Sequence, residues 1–334
     1  MRTLLFKLNS ALLVVMAYSI TLCNASYAAT DPLPSWHDKE SKKKIITFVK
    51  QAVDKKKDTF IPPNERIAVF DNDGTLWAEQ PLYFQLFFAF DQLKNMAPNH
   101  PEWKTEEPFS SVLKGDIKSA LAGGEEAILK IIVASHSGMS TDEFSKAARE
   151  WLNVATHPTT KKPYTQMVYQ PMLELLSYFR DNGFKTFIVS GGGIDFLRTF
   201  SEEVYGIPPE QVVGSSLKAE FKLQEQQAII KRLPELNFID DKAGKPVGIY
   251  QHIGRKPVVA FGNSDGDLQM LQWTCLQTKN ALCALIHHTD AEREWAYDKD
   301  SSIGKFKNAL PTVEKEGWLL IDMKNDWNTI FPNH

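Results

Sequence analysis

Four times in this chain a short apolar run, rich in β-branched and aromatic residues, stops at a cluster of small polar residues. Residues 66–70 end at Asp71-Asn72-Asp73-Gly74-Thr75, and 184–189 end at Ser190-Gly191-Gly192-Gly193. Residues 257–261 end at Gly262-Asn263-Ser264-Asp265-Gly266-Asp267, and 284–286 end at His287-His288. Runs this short and this apolar read as strands buried on both faces. Helical patterns lie between them, including 171–182 and 194–205, so the strands are joined by helical crossovers and the sheet should be mainly parallel. The expected fold is α/β: a doubly wound, Rossmann-like core. In such sheets ligands bind just beyond the strand ends, where the polar clusters fall.

The stretch 79–165 shows helix-like segments and no convincing strand, so it reads as a helical cap inserted after the first strand, with 29–78 and 166–334 forming the core. Near 38–53 another helical pattern places Ile45, Ile46, Phe48, Val49 and Val53 on an apolar face, with Lys42, Lys43 and Lys44 as its solvated surface. A chain of 334 residues that is 43% hydrophobic can bury a core of this size with an insertion. Its 38 Lys and Arg against 41 Asp and Glu give no basic field that would draw it to nucleic acid or an acidic membrane.

Arg2 and Lys7 precede an apolar run from residue 11 to 22 and then small residues through Ala28 and Ala29. The run is shorter than the roughly 20 residues that span a bilayer. It therefore reads as a secretory signal over 1–28, cleaved after Ala28 or Ala29, with an uncleaved anchor as the alternative. Cleavage removes Arg2 and Lys7 and no acid, moving the formal net charge from −3 to −5. It also removes Cys23, which follows Leu22 and not the small residue that lipid attachment favours. The mature chain is expected in the periplasm or outside the cell, without stable membrane insertion. Cys275 and Cys283 then either pair or remain two buried free thiols.

Asp71 and Asp73 stand two residues apart at a strand end, where one carboxylate can attack a bound phosphorus and the other can move protons at the ester oxygen. Hydrolysis of a phosphate monoester needs up to about 10²¹-fold acceleration, which calls for neutralising charge as well as a nucleophile. A divalent cation would supply it.

Phe70-Asp71-Asn72-Asp73-Gly74-Thr75-Leu76 closely resembles the first motif of the haloacid dehalogenase superfamily in its phosphatase branch. Ile188-Val189-Ser190-Gly191-Gly192 looks like the second motif, and Phe261-Gly262-Asn263-Ser264-Asp265-Gly266-Asp267 is similar to the acidic fourth, in the right order. The resemblance implies an aspartyl-phosphate on Asp71, with Asp73 as general acid and then base. It also implies that Thr75 steadies the loop and that Ser190 and Gly191 bind the phosphate. The third motif is a single Lys, for which Lys245 at a helix entrance is favoured over Lys242. The fourth motif often begins Gly-Asp, but here it begins Gly262-Asn263. The implied Mg²⁺ ligands are Asp71, the backbone carbonyl of Asp73, Asn263, and Asp267 or else Asp265.

Glu79 lies near where phosphoserine phosphatases place an acid that meets the substrate amine, and 169–193 also looks like that branch. Tyr83, Phe84, Phe87, Phe88 and Phe90 either line a cage for a cationic headgroup or are simply buried, and burial is the default. His287 and His288 are assigned no role. The expected partner is a small phosphorylated metabolite. Rival readings are a dehalogenase, a phosphotransferase or phosphomutase on the same scaffold, and a silent periplasmic protein that binds a phosphorylated ligand. Oligomeric state is not legible.

Overall fold

The computed structural model describes residues 31–332, residue 225 excepted. The expected signal over 1–28, Cys23 and the cleavage positions Ala28 and Ala29 lie outside the described residues.

Helix α1 (Glu40–Val53) precedes strand β1 (Ile67–Phe70), and α2 (Phe84–Met96), α3 (Phe109–Lys114), α4 (Ile117–Ala120), α5 (Gly124–His136) and α6 (Thr141–Val154) follow. After α7 (Gln170–Asp181) come β2 (Lys185–Gly193), α8 (Ile194–Arg198), α9 (Ser201–Tyr205), and the strands β3 (Val212–Gln224) and β4 (Gln227–Phe238). Helix α10 (Gly244–His252) leads to β5 (Val259–Gly262), α11 (Leu268–Cys275), β6 (Leu282–His287), α12 (Ala309–Glu316), β7 (Leu319–Asp322) and α13 (Met323–Asp326). The seven strands form one sheet in the order β4-β3-β2-β1-β5-β6-β7, and every pairing is parallel except β3 with β4.

The chain leaves β1 toward β2 and β3 on one side and toward β5, β6 and β7 on the other. Strand β1 is therefore the topological switch point, and a crevice for ligand opens beyond its end. Phe70 stands in register with Ile188 of β2 and Phe261 of β5, which brings Asp71, Ser190 and Asn263 to neighbouring strand ends. Along β1, Ala68 and Phe70 pack into one core cluster while Ile67 and Val69 pack into the other. A strand buried on both faces shows no polar alternation, which is why these runs read as continuously apolar.

The β3–β4 hairpin was not anticipated from the sequence. Only the first residues of β3 join the parallel sheet, and beyond Ser215 it pairs with β4 alone. Leu217, Ala219, Phe221 and Leu223 do alternate, but polar and charged residues separate them, and Gln224 to Gln227 carries none of the Asn-Gly chemistry that marks tight hairpins. The hairpin's far half is solvated, with Phe221 67% and Leu223 71% exposed. Its return strand braces the helices after β1. Gly138 N–H donates to Arg232 O at 2.9 Å, and Arg232 N–H donates to Met139 O at 3.0 Å. The Arg232 guanidinium lies 3.8 Å above the Phe144 ring and 2.9 Å from Asp195 on α8. Strand β7, a four-residue run, was also not foreseen.

One local expectation needs revision, and one open alternative is decided. Lys42 is buried on α1, its ammonium donating to Trp36 O at 3.3 Å, so it is not part of a solvated lysine face. Cys275 and Cys283 are joined by a disulfide between α11 and β6. The α2 aromatics follow the default: Phe84, Phe88 and Phe90 are buried, with Phe88 packed against Phe144, Trp151 and Phe196.

Candidate active site

The loop after β1 turns tightly because Asn72 O accepts from the N–H groups of Thr75 and Leu76, and Gly74 N–H donates to Trp77 O at 2.8 Å. Gly74 has φ 71°, a left-handed conformation that favours glycine. This turn leaves the Asp71 carboxylate facing Lys245. Lys245 enters from the first turn of α10, 2% exposed. Its ammonium donates to Asp71 Oδ1 at 2.6 Å, Asp267 Oδ1 at 2.7 Å and Val189 O at 2.8 Å. Lys242 instead points to the surface near Glu125.

Burial alone would lower the lysine's pKa, but Asp267 and Asp71 outweigh it and hold the ammonium charged. Burial, with Asp267 and Asp73 nearby, pushes the Asp71 carboxyl well above its usual range even though Lys245 pulls the other way. The cluster thus carries more negative charge than one ammonium can balance. Asp73 is also raised by burial, against a hydrogen bond from Trp77 Nε1 to its Oδ1 at 2.8 Å. A carboxyl raised in this way holds a proton more readily than an ordinary carboxylate, as a group that gives up and takes back a proton must.

The second-motif loop is already partly satisfied. Ser190 Oγ accepts from Gly192 N–H at 3.0 Å, and Gly193 N–H donates to Gln85 Oε1 at 2.7 Å. The amides of Gly192 and Gly193, which follow the expected phosphate-binding Gly191, therefore have protein partners. Gln85, from the first turn of α2, is a residue the sequence reading missed. A Cβ on Gly192 would lie 3.3 Å from Gln85 Oε1, 3.3 Å from Ser190 Oγ and 3.7 Å from Asp73 Oδ2, so α2 brings an amide to the neighbourhood of both. Behind it, Gln85 Nε2 lies 3.0 Å from Nε2 of the buried His136, whose Nδ1 lies 2.7 Å from Ser135 Oγ.

The fourth-motif residues divide their work differently from the expectation. Asp267 is not free to hold a cation: Oδ1 takes Lys245, while Oδ2 accepts the N–H groups of Asn263 and Ser264, each at 3.0 Å. Asp265 caps α12, accepting from the N–H groups of Lys307, Asn308 and Ala309. Asn263 remains, its Oδ1 accepting from Thr75 Oγ1 at 3.3 Å. Thr75 is fully buried and spends its hydroxyl there, so it steadies Asn263 and not a phosphate. Glu79 likewise does not reach a substrate amine. It is 2% exposed beneath the loop, with Oε1 taken by Asn263 Nδ2 and by Tyr297 OH, each at 2.7 Å.

Among the described residues no group of three or more His, Cys, Asp or Glu side chains forms a metal cluster. The Asp71 carboxylate, the Asp73 carbonyl and the Asn263 amide oxygen nevertheless make a hard-oxygen set. Mg²⁺ accepts such a set when water completes it. The excess negative charge around Lys245 also fits a divalent cation.

Asp240, buried close to the Ser190 amide, has no hydrogen-bond partner for either oxygen. Burial pushes its carboxyl up to about 7, opposed by Lys245 and reinforced by Asp241. Its folded value lies above the unfolded one of about 4, so within that window the folded chain holds a proton the unfolded chain has released, and stability falls as pH rises. Asp240→Asn should flatten this fall. Thermal midpoints at pH 5 and pH 8 should differ less in the variant than in the parent, and identical differences would show that Asp240 ionises without cost.

A model of the haloacid dehalogenase-like hydrolase family matches residues 68–272, and the chain belongs to that family. No curated protein matched in the sequence comparison. Among solved structures, a conserved protein of unknown function from Anaerococcus prevotii DSM 20548 aligns with a TM-score of 0.51 at 16% identity, over 78% of this chain and 89% of that one. A protein of unknown function from Bordetella pertussis Tohama I gives 0.49 at 12% identity, over 78% and 99%. A probable phosphoserine phosphatase from Vibrio cholerae gives 0.38 at 15% identity, over 76% and 59%.

Proposed function

We propose that this hydrolase cleaves a small phosphomonoester with Mg²⁺, through an aspartyl-phosphate on Asp71, after export from the cytoplasm. The observation that carries the reading is the buried Asp71–Lys245–Asp267 cluster at the switch point, flanked by Asp73 and Ser190. A nucleophilic carboxylate held against a fixed ammonium beside a second, proton-carrying carboxyl is what phosphoryl transfer in two steps requires. The Cys275–Cys283 disulfide supports the exported location, because such bonds persist in oxidising compartments.

In the first step an Asp71 oxygen bonds to phosphorus as the ester P–O bond breaks, and the Asp73 proton passes to the departing oxygen. In the second, Asp73 takes a proton from water as the water oxygen bonds to phosphorus, and the phosphorus–Asp71 bond breaks to return the carboxylate. Lys245 neutralises Asp71 and the phosphoryl oxygens, and Ser190 offers its hydroxyl to one of them. Asp71, the Asp73 carbonyl and Asn263 would hold Mg²⁺, which supplies Lewis-acid neutralisation of the phosphoryl charge.

The test is release of inorganic phosphate from a panel of phosphoesters, with Mg²⁺ and after chelation. Phosphate should appear in the first case and fall to background in the second, returning when Mg²⁺ is restored. Halide release without phosphate release, transfer to a sugar hydroxyl in place of water, or tight binding with no turnover would each overturn the reading.

A further inference from the structure

Asn263 stands where the family's fourth motif often carries an acid, and its amide has one orientation compatible with its neighbours. Glu79 Oε1 accepts from Tyr297 OH at 2.7 Å, and the Asn263 amide turns its nitrogen to the same oxygen, Nδ2 donating at 2.7 Å. Asn263 Oδ1 is thereby turned away from Glu79, to the side where Thr75 donates at 3.3 Å.

The chain makes room for this contact from two sides. A Cβ on Gly74 would stand 2.5 Å from Glu79 Oε1 and 2.0 Å from Asn263 Nδ2, and one on Gly304 would stand 1.9 Å from Glu79 Oε1. Both glycines have left-handed backbone, with φ of 71° and 64°. The first-motif loop, the end of β5 and the segment before α12 thus converge on one carboxyl–amide pair, with Glu79 2% and Asn263 2% exposed. A pair so enclosed has little freedom to reorient.

We propose that Glu79 is a positioning residue for cation binding: by holding the Asn263 amide nitrogen, it presents Asn263 Oδ1 to the cation shared with Asp71 and Asp73. This rests on the Mg²⁺-dependent reading above and deepens it. Groups that orient metal ligands from behind typically set affinity by about 10- to 100-fold, because an unheld ligand must be ordered when the ion binds. An amide released from Glu79 is free to offer the nitrogen, which cannot coordinate Mg²⁺.

The experiment measures Mg²⁺ affinity of the whole purified protein by isothermal titration calorimetry without substrate, and thermal midpoints report folding. Glu79→Ala should bind Mg²⁺ about 10-fold more weakly or worse. Asn263→Asp should gain nothing from its added charge, because it sets two carboxyl groups against each other. The double variant Asn263→Asp with Glu79→Gln restores a hydrogen bond with the roles reversed, and should bind at least as tightly as the parent. Folded Glu79→Ala binding like the parent, or a double variant no tighter than Asn263→Asp alone, would overturn the proposal. If Glu79→Ala does not fold, the double variant decides. If the unaltered protein binds no Mg²⁺, the cation reading falls and this inference with it, whereas intact parental binding with indifferent variants removes this inference alone.

Discussion

Asp71→Asn is expected to lower phosphate release by about 10⁴-fold or more while leaving the protein folded and at least as stable as the parent. The loss follows because an amide is a poor nucleophile and cannot form the phosphoryl ester. The stability argument is independent of the chemistry. Asp71 is one of two buried carboxyls that share a single ammonium, and burial, Asp267 and Asp73 push its pKa well up. A carboxyl with a raised folded value weakens the fold as pH climbs from the unfolded value through the folded one. Replacing it with a neutral isostere removes that penalty and leaves Lys245 paired with Asp267. Thermal midpoints in Mg²⁺-free buffer at pH 7 should therefore stay level or rise by a few degrees. A fall in midpoint matching the fall in activity would mean that Asp71 holds the fold together and that its loss says nothing about catalysis.

The parts of this site that are local in sequence were legible. The Asp71-Asn72-Asp73 pair at the end of an apolar run and the Ser190 turn declare themselves through short-range chemistry, and the register of three parallel strands sets them side by side, whereas Lys245 was reached through the family resemblance with Lys242 as its alternative. The division of labour within the fourth motif was not legible. Whether Asp267 faces a cation or Lys245 depends on where α10 delivers the lysine, and the backbone amides of Asn263 and Ser264 complete its commitment. Glu79 was misread because its partner Tyr297 lies 218 residues later in the chain. His288, given no role from sequence, has Nε2 2.8 Å from Gly74 O and supports the first-motif turn from below. Gln85 was hidden among aromatics, since nothing in α2 itself reveals that the Gly193 amide meets it. The hairpin was hidden by its solvated half, which carries no core pattern.

Lys245→Met should be the costliest single change, in both stability and turnover. Methionine fills much of the same volume, so packing is largely kept while the charge and three hydrogen bonds are lost. Asp71 and Asp267 are then buried with no counter-charge, and Val189 O loses its donor. Removing one partner from a buried ion pair costs about 3–5 kcal/mol, because the remaining charge is uncompensated. Lys245 itself titrates too high to matter near neutrality: its folded pKa is raised, so its contribution is fully present below the unfolded value and disappears only as pH rises through the folded one. The pH dependence of the variant must come from the orphaned Asp71. With the lysine gone, nothing offsets the burial and neighbouring acids that already push its carboxyl up, and lowering the pH allows it to protonate and lose the repulsion. Urea unfolding should accordingly show a large deficit against the parent at pH 8 that narrows by pH 5. Phosphate release should fall by about 10³-fold or more at every pH, since acid restores the fold without restoring the charge that meets the phosphoryl group. A deficit that is the same at pH 5 and pH 8 would show that Lys245 supports the fold by packing alone.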